Sequence, residues 1–557
     1  MELPSVLEAE PISFSAGAAS AISRVRRRRA DHLVALGATV LIIFLHVCLT
    51  PNVGGLWRDE VNTVNLATVP TWHDVWRFHN EDSFPLLFAS TVRIWSHFFG
   101  AGDDSIRLLG LLIGLSLVGA FWINARLLGL AFPFWSLVLV GANPMVIRYG
   151  DSARAYGLSL IFLLLMFGFV WRITQKLDWF TWVTATAIAV AGVHATYYNP
   201  VLLFPICVAG CVVTLAERQW RRAGAIVGVG AVAALSLVPY VGTFLHADDW
   251  NFLVRYPFSF ATMWNRLSEV TGSPSSIGVL IWSVLSLAAV VTGALTLFRG
   301  AKNPASWERR RVVLFCGVAL LLGILSYVGF LKLLSYGTNP WYYLSLIAFV
   351  AICIDPILWP KTARLHSSLR AGAALLLLAW TAVPASRVIA ARHTNLDLVA
   401  HELERVAAPE DLIVVSRWQY GVTMERYYRG WTPWTTIPPV PDFRFQSHQP
   451  VIAQMQAEAP LQPIFERAER ALQSGHRVWV VGPVAFVRPG KVPPTLPRAS
   501  NRPGGWRGSE AFYTVWGMQV SYFLHEHCLH GENVSMADIG PVNEIEDLPV
   551  REFKGWK

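Results

Sequence analysis

The sequence predicts a polytopic α-helical membrane protein with a small C-terminal α/β domain. Three observations predict it. The 557 residues are 54% hydrophobic and only 15% charged, against roughly 25% charged in an average soluble protein. Long apolar runs recur up to residue 390 and then stop. Arginines and lysines gather in the short stretches between those runs, which is how membrane topology places them. The division is therefore a basic N-terminus at 1–30, a membrane domain at 31–390 with a long loop at 51–105, and an α/β domain at 391–557.

A membrane-crossing helix needs about 20 mostly apolar residues. Eleven stretches are read as spans: 32–50, 106–128, 132–147, 157–173, 179–196, 200–216, 223–241, 276–298, 312–331, 341–359 and 370–389. Several are short or interrupted. The first follows Arg24 and Arg26 to Arg29. It reads as an uncleaved span, because no small-residue cleavage site follows it. With the N-terminus in the cytoplasm, Arg126, then Arg172 and Lys176, then Arg218, Arg221 and Arg222 all fall inside. So do Arg299, Lys302 and Arg309 to Arg311, and then Lys361, Arg364 and Arg370. The odd count puts the C-terminal domain outside the cell, and the chain is expected in the inner (plasma) membrane. Phe84–Phe99 is apolar but short and holds Arg93 and His97. It is read as an amphipathic or re-entrant helix, since a span there would invert every later basic cluster.

In the C-terminal part, Leu396, Val399, Leu403 and Val406 fall at helical spacing, and Leu412–Ser416 reads as a strand. A second pair follows, a helix at 462–474 and a strand at Val478–Gly482. Helix–strand alternation suggests a partly parallel sheet. The stretch 431–450 is rich in proline and aromatics and reads as an irregular loop. The net charge of +9 does not imply a nucleic-acid partner, because the arginines lie beside apolar runs. The six cysteines show no disulfide or zinc-ribbon spacing.

Residues with chemical potential lie on the outer side. Leu56-Trp57-Arg58-Asp59-Glu60 places two carboxylates just beyond the first span. Such a carboxylate can take a proton from an attacking hydroxyl or amine; Asp59 can equally cap a helix at 60–68. His79, Glu81 and Asp82 are the types that hold a divalent metal, or they form a polar loop before Phe84-Pro85-Leu86. Asn143-Pro144 through Arg148, Asp151, Arg154 and Tyr156 sit between two spans. Arg148 and Arg154 can fork onto a lipid phosphate or snorkel to headgroups, and Asp151 can orient an arginine or serve as a second carboxylate. Lys332 and Trp341-Tyr342-Tyr343 offer another phosphate contact or an interfacial aromatic belt. Asp248 and Asp249 lie in a loop at 242–275 with no motif.

In this order the motifs resemble the GT-C superfamily of membrane glycosyltransferases. The likeness is to glycosyltransferase family 39 and its bacterial relatives, which include protein O-mannosyltransferases and the enzymes that add aminoarabinose to lipid A. Trp57-Arg58-Asp59-Glu60 looks like the family's first acidic motif. Phe84-Pro85-Leu86 looks like a decayed His-Pro-Pro-Leu turn, followed by Ile106-Arg107-Leu108. Asn143-Pro144 to Arg154-Ala155-Tyr156 looks like the second-loop motif. The resemblance implies a GT-C-like fold that transfers a sugar from a polyprenyl-phosphate donor to a lipid, glycan or protein acceptor by inverting displacement. It implies Asp59 as general base, then Glu60, with Asp151 in support. Arg58, Arg148, Arg154, Tyr156, Lys332 and Tyr342 become substrate-binding candidates, and His79, Glu81 and Asp82 candidates for a divalent metal. Three departures stand out. Ser83 and Phe84 replace His-Pro, Gly110 stands where the family often has serine, and no arginine precedes Tyr342. Lys332 is the substitute cation expected. Two other readings fit the layout: a ligase or polymerase acting on lipid pyrophosphate, and a non-enzymatic transporter or scaffold.

Overall fold

The computed structural model describes residues 16–245, 257–271, 277–298, 304–335, 337–358, 364–488, 490–500, 509–535 and 540–557. Side chains are described within these outside 16–30, 244, 304–306 and 364–368. Arg299, Lys302, Lys361, Asp248 and Asp249 lie outside the described residues.

Among the described residues, nine helices are long and apolar enough to cross a membrane: Asp31–Leu49, Asp103–Leu127, Tyr156–Gln175, Asn199–Ala216, Trp220–Thr243, Ile277–Phe298, Trp307–Leu334, Pro340–Leu358 and Leu369–Ala390. Trp179–Ala195 is apolar but shorter. The remaining expected span, 132–147, is interrupted. It forms a short helix Phe134–Ser136, a π-turn Leu137–Gly141 and a helix Pro144–Gly150. The cause is local. Pro144 has no N–H to continue a ladder, and the Asn143 side chain instead accepts from Met145 N at 2.9 Å and Val146 N at 3.2 Å. The Asp355 carboxylate takes the free N–H groups of Trp135 and Ser136 at 2.6 and 3.0 Å. The whole stretch is buried among neighbouring helices, where non-helical backbone at membrane depth is tolerated.

Helix Leu87–Phe99 has 13 residues, too few to cross a bilayer. Its Phe88, Ala89 and Val92 are buried while Ile94, Phe98 and Phe99 are exposed, so apolar side chains lie on both faces. Arg93 caps carbonyls of Ala67, Val69 and Pro70.

The C-terminal region builds a five-stranded sheet. Its strands are β1 (Leu412–Ser416), β2 (Trp434–Ile437), β3 (Arg477–Val481), β4 (Cys528–Val534) and β5 (Val550–Trp556), in the order β2-β1-β3-β5-β4. β1 pairs parallel with β2 and β3, while β5 runs antiparallel to both its neighbours. β2 falls inside the stretch expected to be an irregular loop. Alternation explains the buried run of β1: Leu412 and Val414 pack on one face, Ile413 and Val415 on the other. Helices cover both faces of the central strands, and such strands read as continuous apolar runs.

Candidate active site

The C-terminal sheet domain docks on the end of the helix bundle where Asp103 begins its helix. Arg426 donates to Asp103 Oδ1 at 2.6 Å and Tyr427 to Oδ2 at 2.5 Å. Between the two parts lies a cavity of about 810 Å³. Helix Arg58–Thr68 supplies Arg58, Asp59 and Asn62 to its wall. The turn at 81–83 supplies Glu81 and Asp82, and the loop after 150 supplies Arg154. Helix Phe260–Val270 adds Arg266. Trp341, Tyr342 and Tyr343 form another side, and Arg417, Gln446 and Glu510 come from the C-terminal domain.

The two adjacent carboxylates have different fates. Asp59 is 24% exposed, whereas Glu60 is 0% exposed. Glu60 Oε1 accepts from Arg107 Nη1 at 2.7 Å and from Ala153 N at 2.8 Å, and Oε2 accepts from Trp57 N at 3.2 Å. Burial alone would raise the Glu60 carboxyl; Arg107 and then His393 overcome it and hold it well below the usual carboxylate range. Glu60 also caps the helix expected at 60–68, a role that had been open to Asp59. Asp59 faces the cavity, 3.5 Å from Arg58 Nε, and accepts from Gln446 Nε2 at 3.3 Å.

Arg154 is the cation fixed nearest the acidic turn. Its Nη1 donates to Asp82 Oδ1 at 2.8 Å, Thr63 Oγ1 at 2.6 Å and Asp59 O at 3.0 Å. Burial opposes its charge, but Asp82 and then Asp59 outweigh burial and raise its pKa. Phe84 lies 4.4 Å beneath the guanidinium and packs edge-on against Tyr156 at 5.2 Å. The phenylalanine that departs from the expected turn thus seats an arginine.

Other expected residues are placed elsewhere. Asp151 is buried and bonded to His46 Nδ1 at 2.7 Å; burial pushes its pKa up to about 6 against the pull of His46. Arg148 is buried against the carbonyls of Ala391 and Arg392 at 3.4 and 3.2 Å. Glu60, Asp151, Arg148 and Tyr156 do not line the cavity; they brace it. Lys332 is exposed and off the cavity wall. Arg266 occupies the cavity edge instead, paired with Glu269 at 2.8 Å.

The metal trio is not gathered. His79 is committed through both ring nitrogens, to Trp76 O at 2.5 Å and Thr243 Oγ1 at 2.7 Å, and it stacks on Trp76. Asp82 is taken by Arg154 and Thr63. Among the described residues no three His, Cys, Asp or Glu side chains group as a metal site, so these residues do not fit a ligand set.

Several residues of the site carried no readable signal. Arg107 was visible only as the start of a span, Arg266 lay in a loop without a motif, and Arg417, Gln446 and Glu510 come from the distant C-terminal domain.

No protein-family model matches the chain, and no curated protein matches it. Solved structures are similar at low identity. ArnT from Cupriavidus metallidurans bound to undecaprenyl phosphate is 13% identical with a TM-score of 0.46, over 81% of this chain and 92% of that one. The same protein in its apo state is 15% identical with a TM-score of 0.37, over 81% of this chain and 93% of that one. The Archaeoglobus fulgidus oligosaccharyltransferase, in complex with Zn and sulfate, is 12% identical with a TM-score of 0.42, over 80% of this chain and 67% of that one.

Proposed function

We propose that this chain is a membrane glycosyltransferase that moves a sugar from a polyprenyl-phosphate donor to an acceptor hydroxyl or amine. One observation carries the reading: a single cavity at the end of a helix bundle brings a reachable carboxylate, Asp59, together with Arg58, Arg154 and Arg266 beside an aromatic wall. A carboxylate serves an attacking acceptor and cations serve a leaving phosphate. The acceptor attacks the anomeric carbon while its proton passes to Asp59. The bond from that carbon to the phosphate oxygen breaks, and polyprenyl phosphate leaves with the electron pair. One displacement inverts the anomeric centre. Arg154 and Arg266 stabilise the departing phosphate, and Trp341, Tyr342 and Tyr343 border the sugar. No step is routed through a metal.

Sidedness is part of the proposal. The cavity end is the extracytoplasmic one, because basic residues collect at the other end. There Arg222 and Arg311 both donate to Thr174 O, at 2.7 and 3.0 Å, and Arg311 pairs with Glu217 at 2.5 Å. That asymmetry follows the positive-inside rule.

The test is sugar transfer in vesicles that contain a radiolabelled polyprenyl-phosphate sugar pool. Wild type transfers label. Asp59→Asn, an isosteric change at a partly exposed site, loses transfer while the protein still folds. Arg266→Ala weakens it. Undiminished transfer by Asp59→Asn would remove Asp59 as the base, and no transfer by wild type would overturn the reading and favour a transporter or scaffold.

A further inference from the structure

The C-terminal domain meets the helix that carries Asp59 at several points. Glu546 Oε1 accepts from Arg58 N at 3.2 Å, and Tyr420 lies under the Arg58 guanidinium. One short segment follows the helix face further along. Helix Arg58–Thr68 presents Asp59, Asn62, Asn65 and Leu66 on one face, at the spacing that stacks side chains along a helix. The segment 444–447 reads that face residue by residue. Arg444 O accepts from Asn65 Nδ2 at 2.8 Å. The Phe445 ring is buried with Leu66, Val75 and Ala89 and packs on Phe78 at 5.1 Å. Gln446 N donates to Asn62 Oδ1 at 2.8 Å, and Gln446 Nε2 donates to Asp59 Oδ1 at 3.3 Å. Ser447 bonds the side chain of Glu81.

This pattern exceeds what docking requires. Phe445 supplies the apolar anchor and two backbone groups supply the register. The half-buried Gln446 side chain lines the cavity, and its amide meets the carboxylate proposed as base. The contact uses only one Asp59 oxygen. Arg58 Nε lies 3.5 Å from that same Oδ1. Both donors therefore crowd one oxygen and leave Oδ2 to accept the acceptor's proton.

We infer that Gln446 is a positioning residue for the transfer reaction, with 444–447 acting as an arm by which the C-terminal domain sets the orientation of Asp59. The inference rests on the glycosyltransferase reading of Asp59. A donor amide on Oδ1 fixes the carboxylate plane. Arg58, Arg154, Glu546, Tyr149 and Tyr156 also face Asp59. Gln446 is the member of this set contributed by the arm, and its substitution need not disturb the buried pairs.

The experiment uses the full chain in vesicles with the radiolabelled polyprenyl-phosphate sugar pool, and reads initial rate against donor level and pH. Gln446→Ala lowers the saturating rate at least tenfold and leaves half-saturation by donor unchanged, because the amide acts on the base and not on the phosphate. Gln446→Glu keeps shape and the backbone bond to Asn62 but sets a second carboxylate beside Asp59. The acid limb of its pH–rate profile moves upward by about one unit or more, as like charges disfavour ionisation. Arg405→Ala, on an exposed face of the C-terminal domain away from the arm, changes neither. If Asp59→Asn abolishes transfer while both Gln446 variants keep the wild-type rate and pH profile, the arm is a docking strap and the inference fails alone. If Asp59→Asn is active, the reading of Asp59 fails first. Should Gln446→Ala fold poorly, the pH profile of Gln446→Glu decides.

Discussion

The strongest structural prediction concerns Arg107→Met. Arg107 is 7% exposed, and the Glu60 it neutralises is 0% exposed. The guanidinium also donates to Gly55 O at 2.7 Å and Gly54 O at 3.3 Å. Removing one partner of a buried ion pair leaves an uncompensated charge and costs about 3–5 kcal/mol. The two carbonyl bonds keep the expected loss at the upper end, about 5 kcal/mol, at pH 8. The sign of the pH dependence should reverse as well. In the wild type the folded Glu60 pKa is depressed, so its stabilising contribution is complete above the ordinary value of 4.5 and fades as pH falls. In Arg107→Met burial becomes the dominant influence, opposed by His393 and the N–H groups of Trp57 and Ala153, and the folded pKa is expected to rise above 4.5. Its contribution is then present in acid and lost as pH rises through the raised value. The assay is unfolding in mixed micelles by detergent titration, followed by tryptophan fluorescence at pH 5 and pH 8. Glu60→Gln/Arg107→Met, which buries no charge, should be more stable at pH 8 than the single variant. A single variant within about 1 kcal/mol of wild type, or one equally stable at both pH values, would show that this pair does not hold the loop.

Further outcomes follow from the same geometry. Gly110→Ser, which restores the serine common in the resembled family, should destabilise the fold by about 1–3 kcal/mol, because a β-carbon there would sit 1.9 Å from Asp151 O; thermal unfolding in detergent checks it. Burial pushes Glu546 up to about 7 against the pull of Arg58. Its contribution is therefore full below 4.5 and lost as pH rises through 7, and Glu546→Gln should flatten that part of the stability profile. His393 is driven down to about 4 by burial, with Glu60 pulling it back. It makes stability rise between pH 4 and 6.5, and His393→Leu should remove that rise in the same micelle titration. Lys332→Ala should leave sugar transfer unchanged, because the side chain is off the cavity.

The bundle was legible because membrane helices obey composition. Length and apolarity mark Asp103–Leu127 or Asn199–Ala216 without reference to any partner. The broken stretch at 132–147 was harder, since its irregular backbone survives only through Asn143 and Asp355, the latter more than 200 positions away in the chain. The same distinction holds at the site. Asp59 and Arg154 stood out as charges near span ends, and Asp82 as part of the His79-Asn80-Glu81-Asp82 run. What separated Asp59 from Glu60 was Arg107, visible only as an arginine at a helix start. The cations at the cavity edge and the arm at 444–447 were illegible because their meaning arises from docking. Nothing in the order Arg444-Phe445-Gln446-Ser447 states that it lies against a helix nearly four hundred positions earlier.

The cavity's charges also bear on how transfer would be driven. Each arginine there has a carboxylate partner: Arg58 with Asp59, Arg154 with Asp82, Arg266 with Glu269 and Arg417 with Glu510. Paired cations attract a phosphodiester, with one negative charge, only modestly. A leaving phosphate gains a second charge as the glycosidic bond breaks, so the same arginines hold it more tightly as the reaction proceeds. Interactions that strengthen toward the transition state raise the rate, whereas equal binding of ground and transition states does not. Asp59 contributes to both sides of this balance. On the proposed reading, Asp59 would cease to offset Arg58 and Arg154 on taking the acceptor's proton, and their field would be released onto the phosphate as charge develops there. In the proposed reaction, proton capture and leaving-group stabilisation would be coupled through the one carboxylate at the cavity wall, while its neighbour Glu60 is buried away from it.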